Sequence, residues 1–328
     1  MSLVSNLFLL FVAASILIYY IVPRKSQWIV LLIFSYLYYI AGGPRYVVFI
    51  LFSTLVTWLM ALLIEKAEGK ENHKGARKLL ILGLILNFGM LGIVKYTNFA
   101  VENINALLHL NLRGIQLLLP LGISFYTFQS SGYLLDVYWK RCKAERHPLK
   151  YALFVSFFPQ ILQGPIGRYS RLADQLYAEH RFEGNNIIRG FERILWGFFK
   201  KMVLADRVNA AVLLIFHNYW NYGGWYNVLG VLLYSIQLYA DFSGGIDIVI
   251  GIAQMFGITM DENFRQPYFS RSISEFWRRW HITLGTWMKD YIFYPFSLSK
   301  SMAKFGKWSK KKFGNNVGKL LPVGLADI

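Results

Sequence analysis

The sequence predicts an all-α, polytopic transmembrane helical bundle, with short re-entrant and interfacial helices around a tunnel. Three observations predict it. Of 328 residues, 55% are hydrophobic and only 16% are charged, against roughly 25% charged residues in an ordinary soluble domain. The apolar residues fall in blocks, several of them at least about 17 residues long, enough to cross a hydrocarbon core of roughly 30 Å. The formal net charge of +17 sits in the short connections between those blocks, a placement that argues against nucleic acid as a partner. Cys142 is the single cysteine, which excludes an intrachain disulfide framework. No GxxxxGK(S/T), HExxH, CxxC or dinucleotide fingerprint occurs, so neither a bound cofactor nor a metal is expected.

The first apolar block runs from Leu3 to Val22. It lacks a basic n-region and a small-residue cleavage site, so it reads as a retained span rather than a signal peptide. The second covers Trp28–Ala41, the third Tyr46–Ile64 and the fourth Leu79–Val94. The fifth, Gln116–Tyr138, starts apolar and turns semi-polar. The connections alternate in charge. Arg24 and Lys25 follow the first block, and Arg45 alone follows the second. Lys66, Lys70, Lys74, Arg77 and Lys78 follow the third; the next connection is poor, and Lys140–Lys150 is dense again. Lys and Arg near span ends mark the cytoplasmic side, which places the N-terminus outside.

After Lys150 the character changes. Tyr151–Leu162 is apolar but short and carries Pro159, Gln160 and then Gln163-Gly164-Pro165, the pattern of a short or re-entrant helix packed inside protein. Ile187–Leu204 mixes apolar residues with Arg189, Glu192, Arg193, Lys200 and Lys201, as an interfacial amphipathic helix would. Val208–Phe216 and Trp225–Phe256 add apolar length, the latter broken by Asp241, Ser243-Gly244-Gly245 and Asp247. Asp261–Asp290 is polar and aromatic, and a basic connection spans Lys300–Lys319.

Ionisable and polar groups at membrane depth are costly and mark candidate sites. Pro120–Gly132 sets Ser124, Tyr126, Thr127, Gln129, Ser130 and Ser131 in an apolar helix; interhelical hydrogen bonding and a substrate path both fit. In Gln237–Asp247, Asp241 and Asp247 cannot both face lipid. Each is either a structural acceptor, paired with an arginine or a helix terminus, or part of a site. The glycine pair permits close backbone approach or a broken helix. In Asn263–Asp290, Glu275 and Arg279 are i,i+4 neighbours, Phe276 stacks on Trp280, and Ser272 or Ser274 caps the helix. His281 stands among Arg278, Arg279 and Trp280, surroundings unlike those of a packing histidine, although proton transfer by it is only one of its possible roles.

Together these stretches resemble the membrane-bound O-acyltransferase family, and within it the bacterial branch of the alginate O-acetyltransferase membrane subunit and its peptidoglycan and cell-wall relatives. The resemblance rests on PLGISFYTFQSSGYLLDVYWK from Pro120, FVSFFPQILQGPIGRYSRLADQL from Phe154, QLYADFSGGIDIVIGIAQMFGI from Gln237 and ENFRQPYFSRSISEFWRRWHITLGTWMKDYIFYP from Glu262. It reaches weakly to Ser5–Phe8 and Ser35–Tyr39. It implies a tunnel fed from the cytoplasm by acetyl-CoA or another acyl thioester. The acyl group passes to a hydroxyl of an extracytoplasmic polysaccharide, with an extracytoplasmic partner protein. It implies a multi-pass protein of the bacterial cytoplasmic membrane in contact with lipid, with one domain over 1–328, N-terminal spans to 138 and a tunnel-forming core from 139.

The resemblance also implies site residues. His281 takes the place of the histidine in the family's WRRWH run, with Arg278, Arg279, Trp280, Glu275, Asp290, Asp241, Ser243, Gln163 and Tyr126 along the tunnel. The family's other histidine stands in a Trp-His-Gly context that does not occur in this sequence, so the expectation is a chain incomplete at its C-terminus. Three rival readings stay open: D-alanyl transfer from a carrier protein to teichoic acid, a transporter or channel without chemistry, and a partner-binding scaffold. The absence of internal repeats counts against the transporter.

Overall fold

The computed structural model describes residues 3–114, 119–161 and 163–327, with side chains to residue 314. Part of the fifth apolar block, 116–118, lies outside the described residues. The described chain is all α-helix and turn, without a strand. It divides into two compact units, Met1–Asp261 and Glu262–Ile328.

In the first unit, α1 (Asn6–Ile21), α2 (Gln27–Gly42), α3 (Val47–Gly69), α4 (His73–Leu108) and α5 (Ile123–Tyr138) fall on the five apolar blocks. Among the described residues, three helical segments are long and apolar enough to cross a membrane: Pro44–Gly69, His73–Leu108 and Gly224–Met255. Their large apolar side chains face outward, Val48, Leu55, Ile85 and Ile93 among them, while Ser53, Thr57 and Asn87 are buried. That inside-out pattern suits lipid as solvent, where small and polar residues join helices. Ser53 Oγ donates to Asn87 Oδ1 at 2.6 Å and Asn87 Nδ2 donates to Thr57 Oγ1 at 3.0 Å, tying α3 to α4.

One boundary differs from the sequence reading. The basic connection expected over Glu65–Lys78 is mostly helix, because α3 runs on to Gly69 and α4 starts at His73. Lys and Glu are good helix formers, and Asn72 caps α4 by accepting from the Gly75 N–H at 2.9 Å. At 36 residues, α4 is roughly 54 Å long and outreaches the bilayer core.

The short elements follow. α6 (Pro148–Ser156) and α7 (Phe158–Ile161) are buried along their length except at the start of α6. Phe157, at ψ 108, breaks the helix between them. Ser35 of α2 repairs part of the break, its Oγ accepting from the Phe158 N–H at 3.0 Å. Irregular backbone therefore sits inside protein, as the sequence led us to expect. α8 (Tyr169–Tyr177) returns to the end of the unit that holds the 139–147 connection, where Tyr177 Oη donates to Lys150 O at 2.7 Å.

α9 (Gly184–Phe198), a π-helical turn (Phe199–Ala205) and α10 (Asp206–His217) form one continuous rod. It packs antiparallel on α11 (Gly224–Met255) through two glycine pairs two turns apart. A Cβ on Gly190 would stand 2.6 Å from Gly251 O, and one on Gly197 would stand 2.7 Å from Gly244 O. Ile187–Leu204 is amphipathic as expected. Its apolar residues Ile188, Phe191, Leu195 and Met202 are exposed, whereas Arg193, Lys200 and Lys201 turn inward on α11.

The second unit comprises α12 (Ile273–Arg279), α13 (Ile282–Met288), a π-helical turn (Lys289–Phe293), α14 (Tyr294–Ser297) and α15 (Lys300–Asp327). α15 is kinked at Gly314, φ 77.

Candidate functional site

The anticipated residues fall into two groups, one in each unit. In the first unit, α11 is unbroken through Ser243-Gly244-Gly245, so the glycines serve close approach rather than a broken helix. Asp241 pairs with Lys201. Asp247 accepts from Arg193, Nη2 at 2.9 Å and Nε at 3.1 Å, and pairs with Lys200. Lys200 Nζ also donates to Ser243 Oγ at 2.9 Å. An arginine partner for an α11 carboxylate was expected; the two lysines were not. Both lie in the π-helical turn, and from it consecutive Lys200 and Lys201 reach two different carboxylates of α11.

Gln163 packs on Gly245, where its side chain occupies the place a Cβ would take. Tyr126 is fully buried in α5 beside Tyr39 of α2. Gly122, one turn earlier at φ 65, lies against Ile161 O of α7, a contact that no Cβ allows. Ser130 joins an interhelical set, with Tyr151 Oη at 3.4 Å and Ser53 Oγ at 3.5 Å.

In the second unit, Ser272 Oγ caps α12 by accepting from the Glu275 N–H at 3.1 Å, and Glu275 Oε2 accepts from the Arg271 N–H at 2.8 Å. This is a capping box displaced by one residue. Glu275 Oε1 takes Arg279 Nη2 at 2.6 Å. The Arg271 N–H, and then the two arginines of the helix, hold the Glu275 carboxyl below the usual range. Arg278 Nη1 donates to Ser274 Oγ at 3.1 Å. Trp280 stacks on Phe276 at 5.6 Å and meets Phe264 edge-on at 5.0 Å. Asp290 sits in the second π turn, half-buried.

His281 separates α12 from α13 with a left-handed backbone, φ 44. Asn263, fully buried, holds it. The backbone carbonyl of Asn263 accepts from the Ile282 N–H at 3.0 Å, and the Arg265 N–H donates to Arg279 O at 3.0 Å. Residues 263–265 thus run alongside the turn. Asn263 Oδ1 accepts from the Thr283 N–H at 3.0 Å and from Thr283 Oγ1 at 2.9 Å. An amide-N–H donor can only meet an acceptor, so this atom is oxygen. His281 Nδ1, 3.1 Å from the same oxygen, therefore carries the proton, and Nε2 keeps the lone pair. Burial pushes the imidazolium down to about 4, so the ring is neutral at physiological pH. Asn263 went unremarked in the sequence reading.

Residues 145–309 match the membrane-bound O-acyltransferase family model. The chain is 38% identical over 298 residues to the probable alginate O-acetylase AlgI of Pseudomonas syringae pv. tomato, covering 88% of this chain and 56% of that protein. It is 35% identical over 302 residues to the peptidoglycan O-acetyltransferase of Helicobacter pylori, covering 82% and 55%. The teichoic acid D-alanyltransferase of Bacillus subtilis is 33% identical over 215 residues, 61% of this chain and 51% of that protein. The chain spans somewhat over half the length of these curated relatives.

Proposed function

The chain belongs to the membrane-bound O-acyltransferase family, and from that premise we propose that it works in O-acetylation of a cell-envelope polysaccharide. The donor is a cytoplasmic thioester, acetyl-CoA or a chemically similar acyl thioester. The acceptor is a hydroxyl on the extracytoplasmic side, presented with a polysaccharide-modifying partner protein. The protein lies in the bacterial cytoplasmic membrane with its N-terminus outside. Support comes from the relatives named for acetyl transfer, from lipid-facing helices and from connections whose basic charge suits an anionic donor.

The observation that carries the reading is the neutral, tautomer-fixed His281. With Nδ1–H bound to Asn263, Nε2 can accept a hydrogen bond from a hydroxyl or a water and aim its oxygen. A ring that protonates only near 4 is a weak base. His281 is then an orienting acceptor rather than the base. Arg279 is engaged by Glu275 and shapes the α12 turn rather than binding donor phosphate.

The test uses the gene product in nanodiscs with labelled acetyl-CoA and envelope oligosaccharide. Ester formation is expected, and His281→Ala should lower it by about a hundred-fold, the loss that misplacing a reacting group brings. Turnover unchanged in His281→Ala would sink the role of this site. Turnover only with an aminoacyl carrier protein would replace acetyl transfer with D-alanyl transfer.

A further inference from the structure

The second unit ends on a helix of one charge sign. Between Asp290 and Asp327 the sequence holds seven lysines and no acidic residue. Six of them fall in Lys300–Lys312, the first half of α15, and all six are exposed. Ser299 Oγ caps this helix by accepting from the Met302 N–H at 3.2 Å. Met302 and Ser309 are buried, with Phe305 and Gly306 half-buried between them. That spacing marks one side of a helix, and it is the side that packs on protein. Lys300, Lys304, Lys307 and Lys311 recur at i, i+4, i+7 and i+11, which sets them on the opposite side. The lysine stripe is roughly 16 Å long at 1.5 Å per residue.

Local physics works against such a stripe. Like charges three and four residues apart repel along a helix, and lysine in a first turn opposes the helix dipole. Basic groups elsewhere are met by acids: Arg146 by Glu65 and Lys140 by Glu68 in the first unit, and Arg279 by Glu275 in the second. Among the described residues, none of the six α15 lysines has a carboxylate partner. Aromatic rings accompany them. Trp308 is 49% exposed and Phe313 47% exposed, and Lys312 Nζ lies 5.1 Å from the Trp308 ring and 5.6 Å from the Phe313 ring. Open rings interleaved with lysines suit the headgroup layer of a bilayer, which takes up ring and charge together.

We infer that the lysine face of α15 rests on anionic phospholipid headgroups of the cytoplasmic leaflet. A cluster of four to eight basic residues on one helix is the pattern that recognises such a surface. The lipid phosphates supply the anions that the surrounding chain does not, and they relieve the repulsion along the stripe. This assigns a side of the membrane to the second unit, whose sequence gives no clean alternation of charge. The inference rests on the bilayer setting and is independent of acetyl transfer.

The test places bimane on Ala303→Cys, an exposed position of α15, in a Cys142→Ser background. The chain is held in nanodiscs that contain a nitroxide-headgroup lipid, with phosphatidylcholine alone or mixed with phosphatidylglycerol. Quenching should be at least about two-fold greater with phosphatidylglycerol, as attraction to an anionic surface requires. The gain should vanish in 1 M NaCl, where the Debye length is about 3 Å. Lys300→Gln, Lys304→Gln, Lys307→Gln and Lys311→Gln together should abolish it, although glutamine keeps the helix. The four corresponding arginine substitutions should retain it. Equal quenching in both discs would return the stripe to solvent or to an acidic protein and overturn the inference. So would a gain that survives the four glutamines or the salt. On cells, an impermeant maleimide should modify Ala303→Cys only after permeabilisation, and labelling of intact cells would refute the cytoplasmic side.

Discussion

His281 concentrates what single residues contribute. Its left-handed backbone costs on the order of 1–3 kcal/mol for a non-glycine residue, and the Asn263 contacts hold it there. Its imidazolium, at about 4 in the fold, lies below the ordinary value of about 6.5. Between those values the unfolded chain binds the extra proton, so stability rises with pH across that window and its loss is complete below it. A melting-temperature series from pH 4 to pH 7 should show that slope in the native protein and not in His281→Gln, which keeps a donor toward Asn263. A parallel slope in both would refute the assignment. The WRRWH run was legible in sequence because it clusters arginines, tryptophans and a histidine. Asn263 was not, since it reaches the turn only through the pairing of 263–265 with 279–282. Cys142 offers an independent check. Burial, then the nearby Asp136 and Glu65 carboxylates, push its thiol up to about 12. Iodoacetamide at pH 8 should leave the folded protein unmodified and alkylate it after denaturation, because the thiolate is the reacting species.

At the scale of elements, the α9–α11 pairing joins backbone contact to buried charge. Gly244→Val would drive a side chain into Gly197 O and the Lys201 N–H. Overpacking of this kind costs about 1–3 kcal/mol, and a lower melting temperature in detergent should report it. Asp247→Ala is expected to cost more, because it leaves Arg193 and Lys200 without their shared anion. Breaking a buried pair costs about 3–5 kcal/mol, and Lys200→Met in the same chain should recover part of it. Additive losses in the double variant would contradict a shared network. Sequence reading identified Asp241 and Asp247 as carboxylates in need of partners, because charge at membrane depth is rare. It could not find the lysines, since their partners on α11 lie some 40 residues away in sequence and meet them only through the α9–α11 packing. The π turn in which they lie carries no local signature.

The whole first unit gathers its basic connections at one end. Arg146 pairs with Glu65, Lys140 Nζ lies 3.1 Å from Glu68, and the Ala144 N–H donates to Glu65 Oε1 at 3.0 Å. Trp28 packs on His147 at 5.5 Å, and Gln27 Oε1 accepts from the His180 N–H at 2.8 Å. Tyr20 Oη donates to Met255 O at 2.8 Å, bringing the end of α11 to the same place. Charge counting gave an orientation for the first half only, because the residues after Lys150 mix charge with apolar length. These contacts carry that orientation through α11. They put the α10–α11 connection, with exposed Trp220 and Trp225, at the opposite end, where aromatic residues suit a membrane interface. The single cysteine makes the arrangement testable. In a Cys142→Ser background, Asn221→Cys should react with an impermeant maleimide on intact cells, whereas Glu71→Cys should react only after permeabilisation. The reverse pattern would invert the proposed orientation. Labelling of both on intact cells would place on one side two connections that lie at opposite ends of the unit, and would refute the span assignment of α10 and α11.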